Sequence, residues 1–490
     1  MSELTIIITI IFIFSFVPLI LAEISRVKSM PSIEDFFVCN RSLSTFLYFF
    51  TIYSTWYSAF AVMGSSAHFY LNGPVYMTTF AWNALFAICL FFIGRRIWFY
   101  GKQHKYMTPS DFFQDIYRSK PLTLLVTIIL FVFTLPYVQI QFSGAAYLID
   151  IASHGKIPWE IAGFIFYTIM VVYLWAGGLH AVALTDVFFG SLVFLTMLGT
   201  GFLLTREAGG IHQIFHELIS DDVQNVTISG VEKDSYNNVL LWLSMFLVTP
   251  LGALMSPPIW IRNYAVKKEE TFHVIPLLIT LVAIGYIGCF LAGNAGKVLD
   301  PNLTDSNNLI PSLLVKYGSQ ISITLLFCGF AAASLSTANS QIHALSAIYT
   351  VDIHKRYINQ KAKDSTLLKT AKWSVLFFSV IIYLFMIFNP SIIINTGLLA
   401  LSGTAQLIVP VLGALFWKHS TAAGAFTGLI CGVATLLLLY LIIHIEASYC
   451  GIIGIVINAI FFFTISLTTK SEPKIRARII EYKTEFENKN

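Results

Sequence analysis

Residues 330–341 read F-A-A-A-S-L-S-T-A-N-S-Q inside a long apolar stretch, with six hydroxyl or amide side chains where a bilayer span would carry Leu and Ile. A polar group in hydrocarbon costs free energy unless it finds a partner. The stretch therefore reads two ways. Ala, Ser and Thr let helices approach closely. Alternatively, Ser336 and Thr337, with Ala333 three residues earlier, place two hydroxyls and a carbonyl on one helical turn, a set of oxygens suited to a hard cation.

Composition places this stretch in a membrane. Of 490 residues, 56% are hydrophobic and only 11% are charged, and the mean hydropathy is +0.74. No soluble domain of this size hides so much apolar surface, so a polytopic membrane protein is expected. The net charge of +4 points to no nucleic acid, because charge in such a chain matters loop by loop. The six cysteines, at 39, 89, 289, 328, 431 and 450, have no metal-ligand spacing and read as small core residues. The apolar run at 4–22 lacks a basic leader and a small-residue cleavage site, which predicts a retained helix.

A window of about 19 residues predicts thirteen spans, near 3–22, 43–70, 74–98, 121–150, 158–177, 181–205, 238–262, 273–297, 318–350, 366–388, 391–417, 421–445 and 449–468. With the N-terminus outside, the inner loops and tail hold 25 of the 30 Lys and Arg residues. Only Lys156, Arg206, Lys233, Lys297 and Lys316 stay outside. That asymmetry predicts an odd number of spans and a cytoplasmic C-terminus. Two soluble segments, an acidic outer loop with Asp221, Asp222, Glu232 and Asp234 and a basic inner loop at 352–372, need no function beyond topology. The charged tail, 470–490, reads as a short amphipathic helix on the inner surface.

Two spans look built to break. The second contains T-I-Y-S-T-W-Y-S-A-F-A-V-M-G-S-S-A-H-F-Y-L-N-G, too long and too polar for a simple crossing. The seventh carries Pro250, Pro257 and Pro258, each removing a backbone donor. The second span opens a group of five (43–205) and the seventh opens another (238–417). Five is odd, so the second group would enter from the opposite side. Interrupted spans at matching places in two halves point to an inverted-repeat transporter with a midplane site. The remaining segments are an extra helix and inner loop at 1–42, an outer loop at 206–237, two peripheral helices at 418–469 and the tail.

Four spaced motifs then carry a resemblance. They are S-T-W-Y-S-A-F-A-V-M-G-S-S-A-H-F-Y-L-N-G at 54–73, L-W-A-G-G-L-H-A-V-A-L-T-D at 174–186, A-A-S-L-S-T-A-N-S-Q at 332–341 and F-W-K-H-S-T-A-A-G-A-F-T-G at 416–428. In this order the chain resembles, over nearly its whole length, the sodium:solute symporter family, which includes proline, pantothenate, monocarboxylate and sialic acid permeases. The resemblance implies an all-α integral membrane protein of about thirteen helices with a leucine-transporter-type core of five plus five. It implies Na⁺-coupled uptake of a small organic solute, with Na⁺ as coupling ion, no organic cofactor and no enzymatic activity.

Position by position, the resemblance puts the family's sodium site on the carbonyls of Ser54, Tyr57 and Ala333 and the hydroxyls of Ser336 and Thr337. These are five oxygens without formal charge, from which Na⁺ can leave readily. It associates Asp186 with sodium passage toward the cytoplasm. The other reading of Asp186 is a solvated acid favoured by a helix N-terminus. Substrate-facing matches are Trp56, Tyr137, Gln141, Pro257 and Gln406. The proline carriers have Asp where this chain has Trp56, which argues against proline. An aromatic cavity with amide and hydroxyl donors and no buried Arg or Lys suits a monocarboxylate or pantothenate-like acid, or a small neutral amino acid. Trp and Tyr also serve as core or interfacial aromatics.

The alternatives are proton coupling through His68, His180 or His343, and a channel. A membrane enzyme would need a metal motif or clustered carboxylates, which the spans lack. The expected setting is a bacterial inner (plasma) membrane. The expected partners are the solute, Na⁺ and the bilayer, with no obligatory protein partner and no nucleic acid.

Overall fold

The computed structural model describes residues 3–26, 32–227, 235–388, 393–469 and 473–487. Glu232, Lys233 and Asp234 of the acidic loop lie outside them. Among the described residues the chain is helical throughout, with one isolated bridge between Leu43 and Val266 as its extended pairing. This is what hydrocarbon demands, because a helix satisfies every backbone group within its own segment.

Among the described residues ten helices are long and apolar enough to cross a bilayer, or eleven if the bent pair Val239–Met255 and Pro257–Ala265 counts as one span. The expected count of thirteen is not reproduced on this criterion. The apolar stretches are present, but counting by length joins helices across a bend and leaves out short ones. Thr45–Trp56 is too short to cross alone, and Phe60–His104 counts as one apolar run although its helix ends at Gly73 (φ 54°, ψ −135°), at the boundary expected between the second and third spans. Trp159–Glu207 is two helices joined at a non-helical kink at Gly178 (φ 56°, ψ −151°), between the expected fifth and sixth spans, and only Gly177–Glu207 is long enough to count. The loop at 206–237 also holds more structure than expected, a helix at Ile211–Asp221.

The centre of the bundle is Gln320–Ala347, packed on Trp159–Glu207, on Lys120–Ala152 and on Thr45–Trp56. Every residue from Phe327 to Ala347 is buried, so its hydroxyl-rich stretch faces protein on all sides. Ala422–Leu441 and Ala447–Thr468 pack chiefly on each other, at the periphery. At one end of the bundle the tail helix, Pro473–Glu487, docks against the short helix Pro109–Tyr117. Tyr482 stacks on Tyr100 with ring centroids 4.0 Å apart, and Arg478 reaches Asp115 at 2.7 Å.

Candidate functional site

The first broken span sets the site. Thr45–Trp56 begins at Ser44, whose hydroxyl caps the Leu47 amide at 3.3 Å. It ends where Tyr57 leaves helical geometry (φ −88°, ψ 74°). The Ser58 amide then turns back to the Trp56 carbonyl at 3.1 Å, and the Ala59 amide donates to Gln141 Oε1 at 3.0 Å. In an unbroken helix these two amides would serve the carbonyls of Ser54 and Thr55. The break therefore releases those two oxygens.

Both are met from the opposite helix. Ser336 Oγ donates to the Ser54 carbonyl at 3.1 Å and lies 3.2 Å from the Ala333 carbonyl. Thr337 Oγ1 reaches the Ser54 and Thr55 carbonyls at 3.3 and 3.2 Å. Four of the five expected sodium ligands, Ser54, Ala333, Ser336 and Thr337, are thus brought together at a helix break. Tyr57 lies at the break itself, but neither hydroxyl bonds to its carbonyl; Thr337 takes the Thr55 carbonyl instead.

The second broken span frees a carbonyl in the same way. Ser256 separates two segments bent by 53°, and its amide turns to Ala253, 3.0 Å away. The Gly252 carbonyl, left without that donor, accepts Thr404 Oγ1 at 2.9 Å. The break falls at Ser256–Pro257, while Pro250 sits inside a continuous helix.

Between the hydroxyl pair and the tail-bearing end of the bundle lies a charge that the sequence reading left at the end of the seventh span. Arg262 is fully buried, which corrects the expectation of no buried Arg. Its Nε donates to Thr51 Oγ1 at 2.7 Å, its Nη1 to the Pro258 carbonyl at 3.2 Å, and its Nη2 to Ser340 Oγ. Thr51 in turn donates to Asp186 Oδ2. Asp186 is equally buried and lies 3.7 Å from Arg262 Nη2, so it is no solvated helix-end acid. Thr55 closes the network on Ser340 at 2.9 Å. The signal in the sequence was an Arg one turn after Pro257–Pro258 within W-I-R-N-Y, among large aromatic and apolar residues.

Trp56 and Tyr137 line one narrow cavity beside the break, together with Thr55, Ser256, Gln341 and Thr404. Trp56 stacks on Phe86 and donates its indole N–H to Asn83 at 2.8 Å. Tyr137 meets Ser58 at 3.2 Å. Gln141 does not line this cavity; its amide holds the Ala59 amide and the Tyr137 carbonyl, each at 3.0 Å. Pro257 lies between two lining residues, Ser256 and Ile259. Gln406 is directed elsewhere, toward the Gly451 carbonyl at 3.1 Å and Asn458 on a peripheral helix. Asn339, in the hydroxyl-rich stretch, is fully buried with neither amide atom hydrogen-bonded among the described residues.

None of the three histidines lines the cavity. His343 contacts the Phe36 carbonyl at 2.9 Å, His180 faces Asp35 at 3.2 Å, and His68 pairs with Asn72.

The sodium:solute symporter family model matches residues 36–432. The sodium/pantothenate symporter of Haemophilus influenzae is 26% identical over 440 residues, covering 87% of this chain and 88% of that protein. That of Escherichia coli is 26% identical over 426 residues, covering 84% and 86%. In three dimensions the chain is similar to the substrate-bound, outward-open state of a Na⁺-coupled sialic acid symporter. The TM-score is 0.79 at 17% identity, covering 95% of this chain and 98% of that one. The fold is the leucine-transporter type. The chain belongs to the sodium:solute symporter family, and is a membrane-embedded symporter, not an enzyme, that couples Na⁺ to a small organic solute.

Proposed function

We propose that Na⁺ binds where the broken helix meets the buried hydroxyl pair, held by the carbonyls of Ser54, Tyr57 and Ala333 and the hydroxyls of Ser336 and Thr337. The observation that carries this reading is the convergence of both hydroxyls on the Ser54 carbonyl, at 3.1 and 3.3 Å. Oxygens without formal charge bind a monovalent cation loosely enough for release. A cation here would order the break and so shape the cavity beside Trp56. Sodium and solute then bind with positive coupling, each raising the affinity for the other by the same factor.

The solute we propose is a small monocarboxylate or pantothenate-like acid, held by Trp56 and Tyr137 with Pro257 at the cavity edge. Gln141 shapes the break. The lining offers hydroxyls and an amide, and the bound Na⁺ supplies the counter-charge. The similarity to sodium/pantothenate symporters supports this class. Asp186 and Arg262 stand on the route from the cation site to the cytoplasm. The orientation is N-terminus outside and C-terminus inside, supported by the bias of Lys and Arg. The core is two inverted groups of five helices, 43–205 and 238–417.

The test is uptake in sealed proteoliposomes under an inward Na⁺ gradient, with a matched K⁺ control. The panel holds pantothenate, pyruvate, acetate, lactate, proline, sialic acid and glucose. One acid accumulating only with Na⁺ is the expected result. Equal accumulation in both salts, following an imposed pH gradient, overturns the sodium site.

A further inference from the structure

A cavity much larger than the solute cavity lies elsewhere. It is a cleft of about 880 Å³ at the tail-bearing end of the bundle, within the size range of small-molecule sites. One wall is the turn and short helix around 104–120, from the first half of the chain. The other is the stretch Ile348–Ile358 with Gln360, which continues the helix carrying Ser336 and Thr337.

Its charge is one-sided. Five cations, Lys105, Arg118, Lys120, Lys355 and Arg356, face it with two carboxylates, Asp111 and Asp115. Both carboxylates are already occupied. Asp111 takes Arg356 at 2.7 Å and the amides of Met107 and Thr108 at 2.9 and 3.1 Å. Asp115 takes Arg478 at 2.7 Å and the hydroxyls of Tyr106 and Tyr482. Lys105, Arg118, Lys120 and Lys355 form no ion pair among the described residues, so four positive charges converge on one concavity without an internal anion. A basic inner surface alone accounts for cations spread over loops, as Lys361 and Lys363 are, not for a concentration in a deep cleft.

We infer that this cleft binds a multiply charged phosphate anion, bridging Arg118 and Lys120 on one wall to Lys355 on the other. Phosphate oxygens are strong acceptors for such groups. The walls are joined now by Thr108 to Asp352 at 2.7 Å and by Arg356 to Asp111. They come from the two halves of the chain that must part for the site to open on this side. A bound anion adds a third link and slows that opening, so it acts as a brake on transport. The source is either a soluble polyphosphate or a lipid headgroup, since Lys120 begins the span Lys120–Ala152. The braking role rests on the proposed cytoplasmic orientation of this face; binding itself does not.

The experiment titrates inorganic pyrophosphate into detergent-solubilised protein by calorimetry, which requires neither sidedness nor Na⁺. The expected result is saturable binding, weakened about ten-fold in Arg118→Gln/Lys120→Gln/Lys355→Gln and unchanged in Lys361→Gln/Lys363→Gln. These side chains sit at the surface or the cleft edge, and a melting curve checks that both variants fold. In a second arm, nanodiscs of phosphatidylcholine are compared with discs also holding phosphatidylglycerol. Thermal stabilisation by phosphatidylglycerol that the triple variant loses, without pyrophosphate binding, assigns the site to a lipid headgroup. No binding in either arm, or equal loss in both variants, overturns the proposal. Pyrophosphate trapped inside oriented vesicles slows uptake if this face is cytoplasmic. Slowing only from outside reverses the orientation and leaves the site standing.

Discussion

Arg262 and Asp186 lie 3.7 Å apart with neither side chain exposed, and Thr51 bridges them by hydrogen bonds to both. Breaking a buried ion pair from one side leaves a charge without compensation and costs about 3–5 kcal/mol. Removing both members with apolar or neutral groups of similar shape is far milder. The expected order of melting temperatures is therefore wild type, then Arg262→Met/Asp186→Asn, then either single variant. Thermal unfolding in detergent reads this directly. A double variant less stable than both singles contradicts the pairing.

The same pair closes the proposed exit route, through the Ser340 contact of Arg262 and the Ser340–Thr55 bond. Asp186→Asn is expected to slow sodium-driven turnover and to raise the half-saturating Na⁺ concentration. Unchanged values of both place Asp186 outside the path.

Gly178 stands at φ 56° in the kink of Trp159–Glu207. A Cβ there would come within 2.8 Å of the Phe36 carbonyl and 2.7 Å of its ring. Gly178→Ala combines a backbone conformation that costs about 1–3 kcal/mol with displacement of the Ile33–Val38 helix. A fall in melting temperature is expected; an unchanged one argues that the kink straightens without cost.

Gln141 holds the break open through the Ala59 amide. Gln141→Leu leaves that buried donor unmatched, worth about 1–3 kcal/mol. Since the break releases the Ser54 and Thr55 carbonyls, lower Na⁺ affinity is expected together with the loss of stability. Equilibrium Na⁺ binding separates the two, and unaltered affinity would detach Gln141 from the site.

The tail is locked by Asp115. Burial opposes its charge, but hydrogen bonds from Tyr106, Tyr482 and Arg478 outweigh burial and hold its carboxyl below the ordinary range. A carboxyl depressed in the docked state stabilises docking fully above the free value of about 3.9. That contribution is lost only as pH falls through the lower, docked value. A spin label at Lys483→Cys is expected to stay immobile from neutral to mildly acidic pH, and to loosen at neutral pH in Asp115→Asn. Loosening of the wild type near pH 6 contradicts the lock.

The hydroxyl pair was legible because polarity within an apolar run is costly, so Ser336 and Thr337 announce a partner before any contact is known. The break at Tyr57–Ser58 was legible only as a polar stretch. Its position depends on Gln141, 82 residues from the amide it captures. Arg262 escaped notice because its burial depends on Asp186 and Thr51, distant in sequence, and locally it resembles the basic residue that ends a span. Gln406 is the reverse case. Its residue type suits a cavity, but its place on the helix turns it toward Gly451 and Asn458. The count of thirteen is not reproduced by helix length, which joins helices across the bends at Gly73 and Gly178 and leaves out short ones.

The most direct measurement is the Na⁺ dependence of solute uptake in Ser336→Ala/Thr337→Ala proteoliposomes, with correct folding verified by melting. Loss of saturable Na⁺ stimulation, with solute binding retained at weaker affinity, is the expected result. A double variant with the wild-type half-saturating Na⁺ concentration would contradict the site at Ser54, Ala333, Ser336 and Thr337.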